Sequence, residues 1–178
     1  TPRTGSPVEI NALWYNSILA ALGWAKQNSD GKFLKEWEGL PEKIKESFIN
    51  EFWDEEQGYL ADLLEGENKD FSVRPNMVIA AAMDHNMLTP EMKNSILEVV
   101  KSELLTPKGL RTLSPKNPDY KGIYEGDQDT RDEAYHQGTS WPWLLEHFAK
   151  AYLDVHKNSG ISLVRKIFFD FEEDMFRH

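Results

Sequence analysis

Residues 135–144 concentrate side chains that could bind a sugar. A phenol, an imidazole, an amide and two indoles occur within this segment, around the turn residue Gly138. Aromatic faces pack against the apolar C–H faces of a sugar ring, and the polar groups hydrogen-bond its hydroxyls. The pattern favours binding of a polyol ring, with His136 as the leading contact and Tyr135 as a neighbour. The alternative is that Trp141 and Trp143 are core aromatics and that His136 is a turn residue.

Other kinds of chemistry lack a signature in this chain. The five histidines show no helical H-x-x-x-H spacing and there is no cysteine, so the sequence predicts no metal site. The chain has neither a glycine-rich phosphate loop nor a G-x-S-x-G motif. Carboxylates combined with aromatic residues remain, and these are the groups used in glycoside hydrolysis. We therefore predict no cofactor.

Composition narrows the class of protein and its partners. At 178 residues the chain is long enough for one domain with a substantial core. Its net charge of -10 argues against nucleic acid and anionic membranes as partners, because both require a basic surface. No apolar run approaches the ~18 residues of a membrane span. The absence of cysteine favours a cytoplasmic location.

The segments that must position these side chains are predicted to be helices. Apolar residues recur with a helical period in six segments, which are residues 6–25, 41–53, 77–86, 89–104, 141–156 and 161–177. Ser6, Thr89 and Ser140 are predicted N-caps, and Pro41 a helix start. Residues 106–140 are predicted to be a long irregular segment of functional character. We predict no convincing strand pair, with residues 58–63 and 110–113 as short edge pieces at best.

Six helices in three consecutive hairpins predict an all-α fold of stacked helix pairs. The stack is either an open solenoid or half of a closed ring of six inner and six outer helices. The loops at 1–6, 72–76 and 131–140 each precede an inner helix, so we expect them to meet at one rim. A half ring leaves apolar helix surface uncovered. We therefore expect self-association, with helices 77–86 and 161–177 as the contacts.

Four blocks of the chain resemble glycogen debranching enzymes, in the domain that carries the amylo-α-1,6-glucosidase activity. The longest block, at residues 2–16, reads PRTGSPVEINALWYN. The others, in the same order as in the family, are RPN at 74–76, LLTPKGLRTL at 104–113 and YHQGTSWPW at 135–143. The resemblance covers essentially the whole chain. It implies an (α/α)6 barrel of which residues 1–178 form part, with the domain cut at both ends.

The resemblance also implies a reaction. The family removes the single α-1,6-linked glucose left at a glycogen branch, and it resembles inverting glycosidases that use one carboxylic acid and one carboxylate. In the family, the acid lies in a segment before the block matched at residues 2–16, and the base lies after the last helix. Neither has a counterpart here. We therefore expect no catalytic carboxylate in this chain, which alone should be inactive.

The resemblance implies that this chain contributes residues that bind the sugar. The residues implied as substrate contacts are Glu9, Asn11, Trp14, Arg111, Arg131, Asp132, Tyr135, His136, Trp141 and Trp143. Three of these positions have structural alternatives. Glu9 completes a capping box with Ser6 in one interpretation, and Trp14 is a core residue in another. Arg131 and Asp132 are either sugar contacts or a local ion pair that holds the loop.

These observations lead to one hypothesis and two rivals. The hypothesis is part of a debranching-type glycoside hydrolase acting on branched α-glucan or oligosaccharide. The first rival is a non-catalytic glucan-binding domain that kept the pocket without the acid and base. The second is a helical scaffold whose loops bind a protein partner.

Overall fold

The computed structural model describes residues 3–176, and the side chains of all of these except residues 173–175. Within this part of the chain there are eight α-helices, which together form more than half of it. They are α1 (Val8–Gln27), α2 (Gly31–Trp37), α3 (Leu40–Phe52), α4 (Asn76–Ala82), α5 (Pro90–Glu103), α6 (Gln128–Tyr135), α7 (Leu144–His156) and α8 (Ile161–Met175). Our predictions for residues 1–2 and for the final residues of the last helix lie outside the described residues.

All six predicted helices are present, and two of their predicted starts are confirmed. The Thr89 hydroxyl caps α5 by accepting a hydrogen bond from the Met92 amide at 3.2 Å, and Pro41 lies in the first turn of α3. Other starts were predicted wrongly. Pro7, and not Ser6, is the N-cap residue of α1, and no side chain caps that helix. Helix α7 begins at Leu144 rather than next to Ser140.

Two further helices occur outside the six segments that were predicted to be helical. Helix α2 begins after Asp30, whose carboxylate accepts a hydrogen bond from the Phe33 amide at 3.0 Å. Helix α6 lies inside the predicted irregular segment, and Asp127 caps it through a 3.0 Å bond from the Thr130 amide. Both caps satisfy helix-terminal N–H groups that otherwise lack partners.

The prediction of no convincing strand pair was wrong. Three small antiparallel sheets join the helices, and they are built from β1 (Ser6–Pro7), β2 (Trp53–Asp54), β3 (Tyr59–Leu60), β4 (Leu63–Glu65), β5 (Asn68–Asp70), β6 (Leu105–Thr106), β7 (Gly109–Arg111) and β8 (Ser140–Trp141). Their strand orders are β1-β4-β5, β2-β3 and β6-β7-β8. Strand β3 falls within the first short edge piece that we had allowed, and β7 overlaps the second. The first and third sheets each tie a segment that precedes a helix to a distant hairpin.

Helix α4 lies at the centre of the packing. It contacts α1 and α7 on either side and also α5, while α1 packs on α2 and α3 and α7 packs on α5 and α8. Residues Met77 to Ala82 are all buried, because small side chains allow close approach of the neighbouring helices. The helix ends earlier than predicted, since the Asn86 amide donates hydrogen bonds to the Ala80 and Ala81 carbonyls. Its burial also overturns our expectation that this helix is a self-association contact.

Among residues 3–176, none of the helices combines the length and apolar character that a membrane crossing requires.

Candidate functional site

A cavity of about 420 Å³ opens where the segments preceding α1, α4 and α7 meet. Because α4 packs between α1 and α7, the segments that lead into these three helices lie side by side. The first contributes Arg3, the second Arg74, Pro75 and Asn76, and the third Tyr135, His136, Trp141, Trp143 and Leu144, with Thr112 added from the β7 side. The structure therefore brings together the three loops that we expected at one rim.

Arg3 is held in the cavity by two carboxylates. Its guanidinium donates to both oxygens of Glu9, at 2.5 and 3.1 Å, and pairs with Asp62 Oδ2 at 3.0 Å. It also donates to the Asp62 carbonyl at 3.1 Å. Burial opposes the charge on Arg3, but the hydrogen bond with Glu9 leads the interactions that raise its pKa. Glu9 thus lies behind Arg3, and the capping box with Ser6 was a wrong prediction.

Asp62 is the most enclosed carboxylate around the site, with 3% of its surface exposed. Asn76 donates to its Oδ1 at 2.7 Å, so Asp62 connects two residues that line the cavity, Arg3 and Asn76. Burial raises the pKa of Asp62, although Arg3 and Asn76 act in the opposite direction. Its carboxylate orients polar groups and does not itself line the cavity.

Arg74 joins three loop positions. Its guanidinium donates to the carbonyls of Thr112 and His136, at 3.1 and 2.6 Å, and to the side-chain oxygen of Gln137 at 2.7 Å. Burial lowers the pKa of Arg74. The loop between α6 and β8 is therefore fixed to the start of α4, and the fork geometry of the guanidinium makes this possible.

The other wall of the cavity is aromatic. The Tyr135 and Trp141 rings lie 4.8 Å apart, and the Trp141 indole N–H donates to the Tyr135 carbonyl at 3.2 Å. The His136 ring lies edge-on to Tyr135 at 4.7 Å. Trp143 is 59% exposed, so much of its indole is available to a ligand. These rings offer faces and edges of the kind that pack on a sugar.

The surroundings of His136 favour the neutral form of its imidazole. Burial lowers its pKa from the usual 6.5, and the positive charges of Arg74 and Arg3 lower it further. A neutral imidazole has one donor and one acceptor nitrogen, so it can hydrogen-bond a hydroxyl in either sense.

The structure separates the ten predicted contact residues into two groups. Four of them, Tyr135, His136, Trp141 and Trp143, line the cavity, and Glu9 contacts it through Arg3. The remaining five lie elsewhere, and they are Asn11, Trp14, Arg111, Arg131 and Asp132.

The five outlying residues each have another local contact. The Asn11 amide donates to the Pro7 carbonyl at 2.8 Å, and Arg111 Nε donates to the Tyr120 hydroxyl at 3.2 Å. Trp14 is half-exposed and packs edge-on against Trp37, so it is not a core residue. Arg131 and Asp132 both bond to Gln128, instead of forming the local ion pair that we had considered.

Sequence reasoning missed Arg3, Asp62, Arg74, Asn76 and Thr112 as parts of this site. Four of them, all except Asp62, stand in blocks that we had matched to the family. For Arg3, Arg74 and Asn76, the position before an inner helix was a further signal. Asp62 offered only one clue, a lone acid in the apolar run Leu60–Leu64, because its partner Arg3 is 59 residues away. Within the described residues, no group of three or more His, Asp or Glu side chains is arranged to hold a metal ion.

The arrangement is suited to binding a neutral polyhydroxylated ring. The lining supplies guanidinium and amide donors, the rings of Tyr135, Trp141 and Trp143, and the imidazole of His136. Among the described residues that line the cavity there is no carboxylate. Glu133, the nearest acid in sequence to the aromatic wall, is exposed and pairs with Lys121.

Known proteins of one family and two further named enzymes are similar to this chain. A family model described as "Amylo-alpha-1,6-glucosidase" matches residues 1–177. The chain is 27% identical to the glycogen debranching enzyme of Saccharomyces cerevisiae, over 88% of this chain and 12% of the yeast protein. It is also 27% identical to the periplasmic trehalase of Escherichia coli K12, over 66% of this chain and 21% of the trehalase. The chain thus spans only a small part of the length of these relatives.

Proposed function

The chain belongs to the amylo-alpha-1,6-glucosidase family, and we propose that it forms the sugar-binding part of a glycoside hydrolase active site. The substrate is a branched α-glucan, and the bond cleaved is the α-1,6 link to a single glucose. The observation that supports this proposal most directly is one cavity lined by polar and by aromatic groups, among them Arg3, Asn76, His136, Tyr135 and Trp141.

The reaction divides into binding and proton transfer. Inverting hydrolysis needs one carboxylic acid to protonate the leaving oxygen and one carboxylate to activate water, roughly 6.5–9.5 Å apart. Glu9 and Asp62 are both engaged with Arg3, and the Glu133 carboxylate pairs with Lys121. We therefore assign the acid and the base to segments of the whole protein outside these residues. We also place that protein in the cytoplasm, in keeping with the absence of cysteine.

Because the described lining of the cavity contains no carboxylate, a second candidate function is also favoured, that of a glucan-binding domain without catalytic activity. The two candidates share the pocket and differ only in the whole protein. Release of glucose from a branched limit dextrin by the full-length protein supports the hydrolase. Full-length protein that binds the dextrin without releasing glucose supports the binding domain.

Binding is tested on this chain by calorimetric titration with isomaltose and maltose. We expect weak binding that falls about tenfold or more in Trp143→Ala and in His136→Ala, because each change removes a direct contact. The matched control is Trp24→Ala, since Trp24 is 66% exposed on α1 and does not line the cavity. Equal losses in Trp24→Ala and Trp143→Ala would contradict a sugar site at the cavity.

Activity of this chain alone is tested with the same limit dextrin. General acid–base assistance contributes about 10²–10⁴-fold for each group, so we expect no measurable glucose release here. Release that disappears in Glu9→Gln or Glu133→Gln would place the chemistry within this chain and overturn our assignment of the catalytic pair.

A further inference from the structure

We propose that the cavity continues into an aromatic rim, formed by Tyr124, Tyr135 and Trp141, which holds the glucan chain next to the sugar in the cavity. This inference rests on the proposed function and extends it from a single sugar to an oligosaccharide. It adds Tyr124, which does not line the cavity itself.

The three rings of the aromatic rim are in mutual contact. The Tyr124 ring centroid lies 6.0 Å from that of Tyr135 and 6.2 Å from that of Trp141. Tyr135 and Trp141 are 4.8 Å apart, and both also line the cavity. Tyr124 is therefore adjacent to two residues of the cavity wall, and we expect a ligand that extends beyond the cavity on this side to reach it.

The rim is open to solvent, although it is made of large aromatic side chains. Tyr124 and Tyr135 are each 39% exposed. Each ring therefore presents part of its face to solvent and carries a hydroxyl that can bond to a sugar. An α-glucan has the matching surface, with C–H faces for the rings and hydroxyls for the phenols.

The chain segment that carries Tyr124 is firmly attached to the site. The Lys121 amide donates to the Gln137 carbonyl at 2.5 Å, and the Lys121 ammonium pairs with Glu133. The Tyr120 hydroxyl accepts a bond from Arg111 at 3.2 Å. Preorganisation of this kind lowers the entropy lost when a ligand binds.

Gly138 makes the close approach of the two segments possible. A Cβ at this position would lie 2.6 Å from Tyr120 Cε2 and 2.7 Å from the Lys121 carbonyl oxygen. Its φ of +147° is also one that side chains with a Cβ rarely adopt. The rim thus depends on a backbone contact that only glycine permits.

Charge favours a neutral ligand over an anionic one. The sequence around the rim carries Glu125, Asp127, Asp129 and Asp132, all exposed. Such a group of acids repels phosphate and carboxylate ligands but leaves an uncharged glucan unaffected. The chemistry of the rim and its continuity with the cavity therefore favour an α-glucan as the occupant.

The test compares the affinity of this chain for isomaltose and for a maltooligosaccharide of six units that bears one α-1,6 glucose. We expect the longer ligand to bind about tenfold more tightly in the wild type, because it reaches the rim. Tyr124→Ala should lower the ratio of the two affinities about three- to tenfold, because only the longer ligand loses a direct contact. Tyr124→Phe keeps the ring and should retain most of the difference. The control is Ile123→Ala, since the neighbouring Ile123 is 73% exposed and carries no ring.

Three results would overturn the inference, and they are distinguishable from one another. Equal affinity of the wild type for both ligands would leave the proposed function intact and would contradict the binding role of the aromatic rim. An equal loss for both ligands in Tyr124→Ala, with Tyr124→Phe normal, makes Tyr124 a support for the cavity instead. Failure of the wild type to bind either ligand contradicts the proposed function, and this inference with it.

Discussion

Asn76 and Asp62 are joined by a hydrogen bond of 2.7 Å from the Asn76 amide to Asp62 Oδ1. The bond connects the first residue of α4 to the turn between β3 and β4. Because Arg3 pairs with the second carboxylate oxygen at 3.0 Å, one buried acid orients a donor on each of two segments around the cavity. Stability and ligand binding are therefore expected to depend on the same side chain.

The first prediction concerns this bond. Asn76→Ala should lower the free energy of unfolding by about 1–3 kcal/mol, because the partner is a charged and buried acceptor. Asn50→Ala is the matched control, since Asn50 is exposed on α3 and its replacement should change stability by less than about 0.5 kcal/mol. Urea denaturation measures both. Equal stability of the two variants would show that the bond contributes nothing.

The second prediction concerns the pH dependence of stability. Burial raises the pKa of Asp62 above 3.8, so the folded state holds its proton more tightly than the unfolded state. The stabilisation that results from this tighter proton binding is fully present below pH 3.8. It is lost as pH rises through the pKa of Asp62 in the folded state. The difference in unfolding free energy between wild type and Asp62→Asn should therefore shift against the wild type as pH rises.

Asp84 provides a control of opposite sign. The hydrogen bond from Lys150 lowers the pKa of this exposed carboxyl below 3.8. Its contribution is present above pH 3.8 and is lost as pH falls through the lowered pKa. The comparison of wild type with Asp84→Asn should thus show the reverse trend. The same trend in both variants would contradict our account of Asp62.

The third prediction compares two glycines. Gly138→Ala should destabilise the protein by about 1–3 kcal/mol, because it combines a positive φ with a clash against Tyr120 and Lys121. Gly23 lies inside α1, and a Cβ there would meet nothing within 4 Å. Gly23→Ala should therefore stabilise the protein by about 0.5–1 kcal/mol. Thermal unfolding measures both, and a stabilising Gly138→Ala would refute the close approach.

The fourth prediction concerns His136. Its imidazole should titrate below pH 6.5 in an NMR experiment, because burial and the nearby guanidinium groups disfavour the charged form. Arg74→Gln should raise the observed pKa by removing one of the positive charges. Arg131→Gln is the control, since Arg131 lies on α6 and bonds to Gly126 and Gln128. A titration of His136 above pH 6.5 in the wild type would contradict this environment.

The fifth prediction concerns self-association through apolar helix surface. Phe168 and Phe169 on α8 are 53% and 65% exposed, and α1 exposes Ile10 and Leu13. Surfaces of this kind are rarely left free in monomers, so sedimentation should reveal dimers or larger species at high concentration. Phe169→Lys should weaken them, whereas Ile123→Lys, which replaces an exposed apolar residue elsewhere, should not. A wild type that remains monomeric at all concentrations would contradict the prediction.

Sequence periodicity was sufficient for the helices that have an apolar face. It identified α1, α3, α5, α7 and α8, because their core residues recur every three or four positions. Helix α6 has eight residues, of which only Ala134 is buried, so it offers no such face. Strands of two or three residues likewise have no period to detect.

The candidate site was predictable in its aromatic half and less so in its polar half. Tyr135, His136, Trp141 and Trp143 are neighbours in sequence, so their convergence could be inferred from one segment. The contacts of Arg3 and Arg74 span 59 and 62 residues, and such distances depend on how the helices pack. Local pattern carries no information about pairings of this range.

The contacts of Arg74 have a consequence for how this site can change over evolution. Two of the groups that it binds are main-chain carbonyls, at Thr112 and His136. Every amino acid offers the same carbonyl, so these two bonds do not require a particular side chain at position 112 or 136. A substitution of His136 can therefore change the lining of the cavity while the bond from Arg74 to the carbonyl at this position is kept. Substitution of Arg74 itself should be tolerated less well than substitution of His136, because it removes the bonds to both carbonyls and to the Gln137 side chain at once.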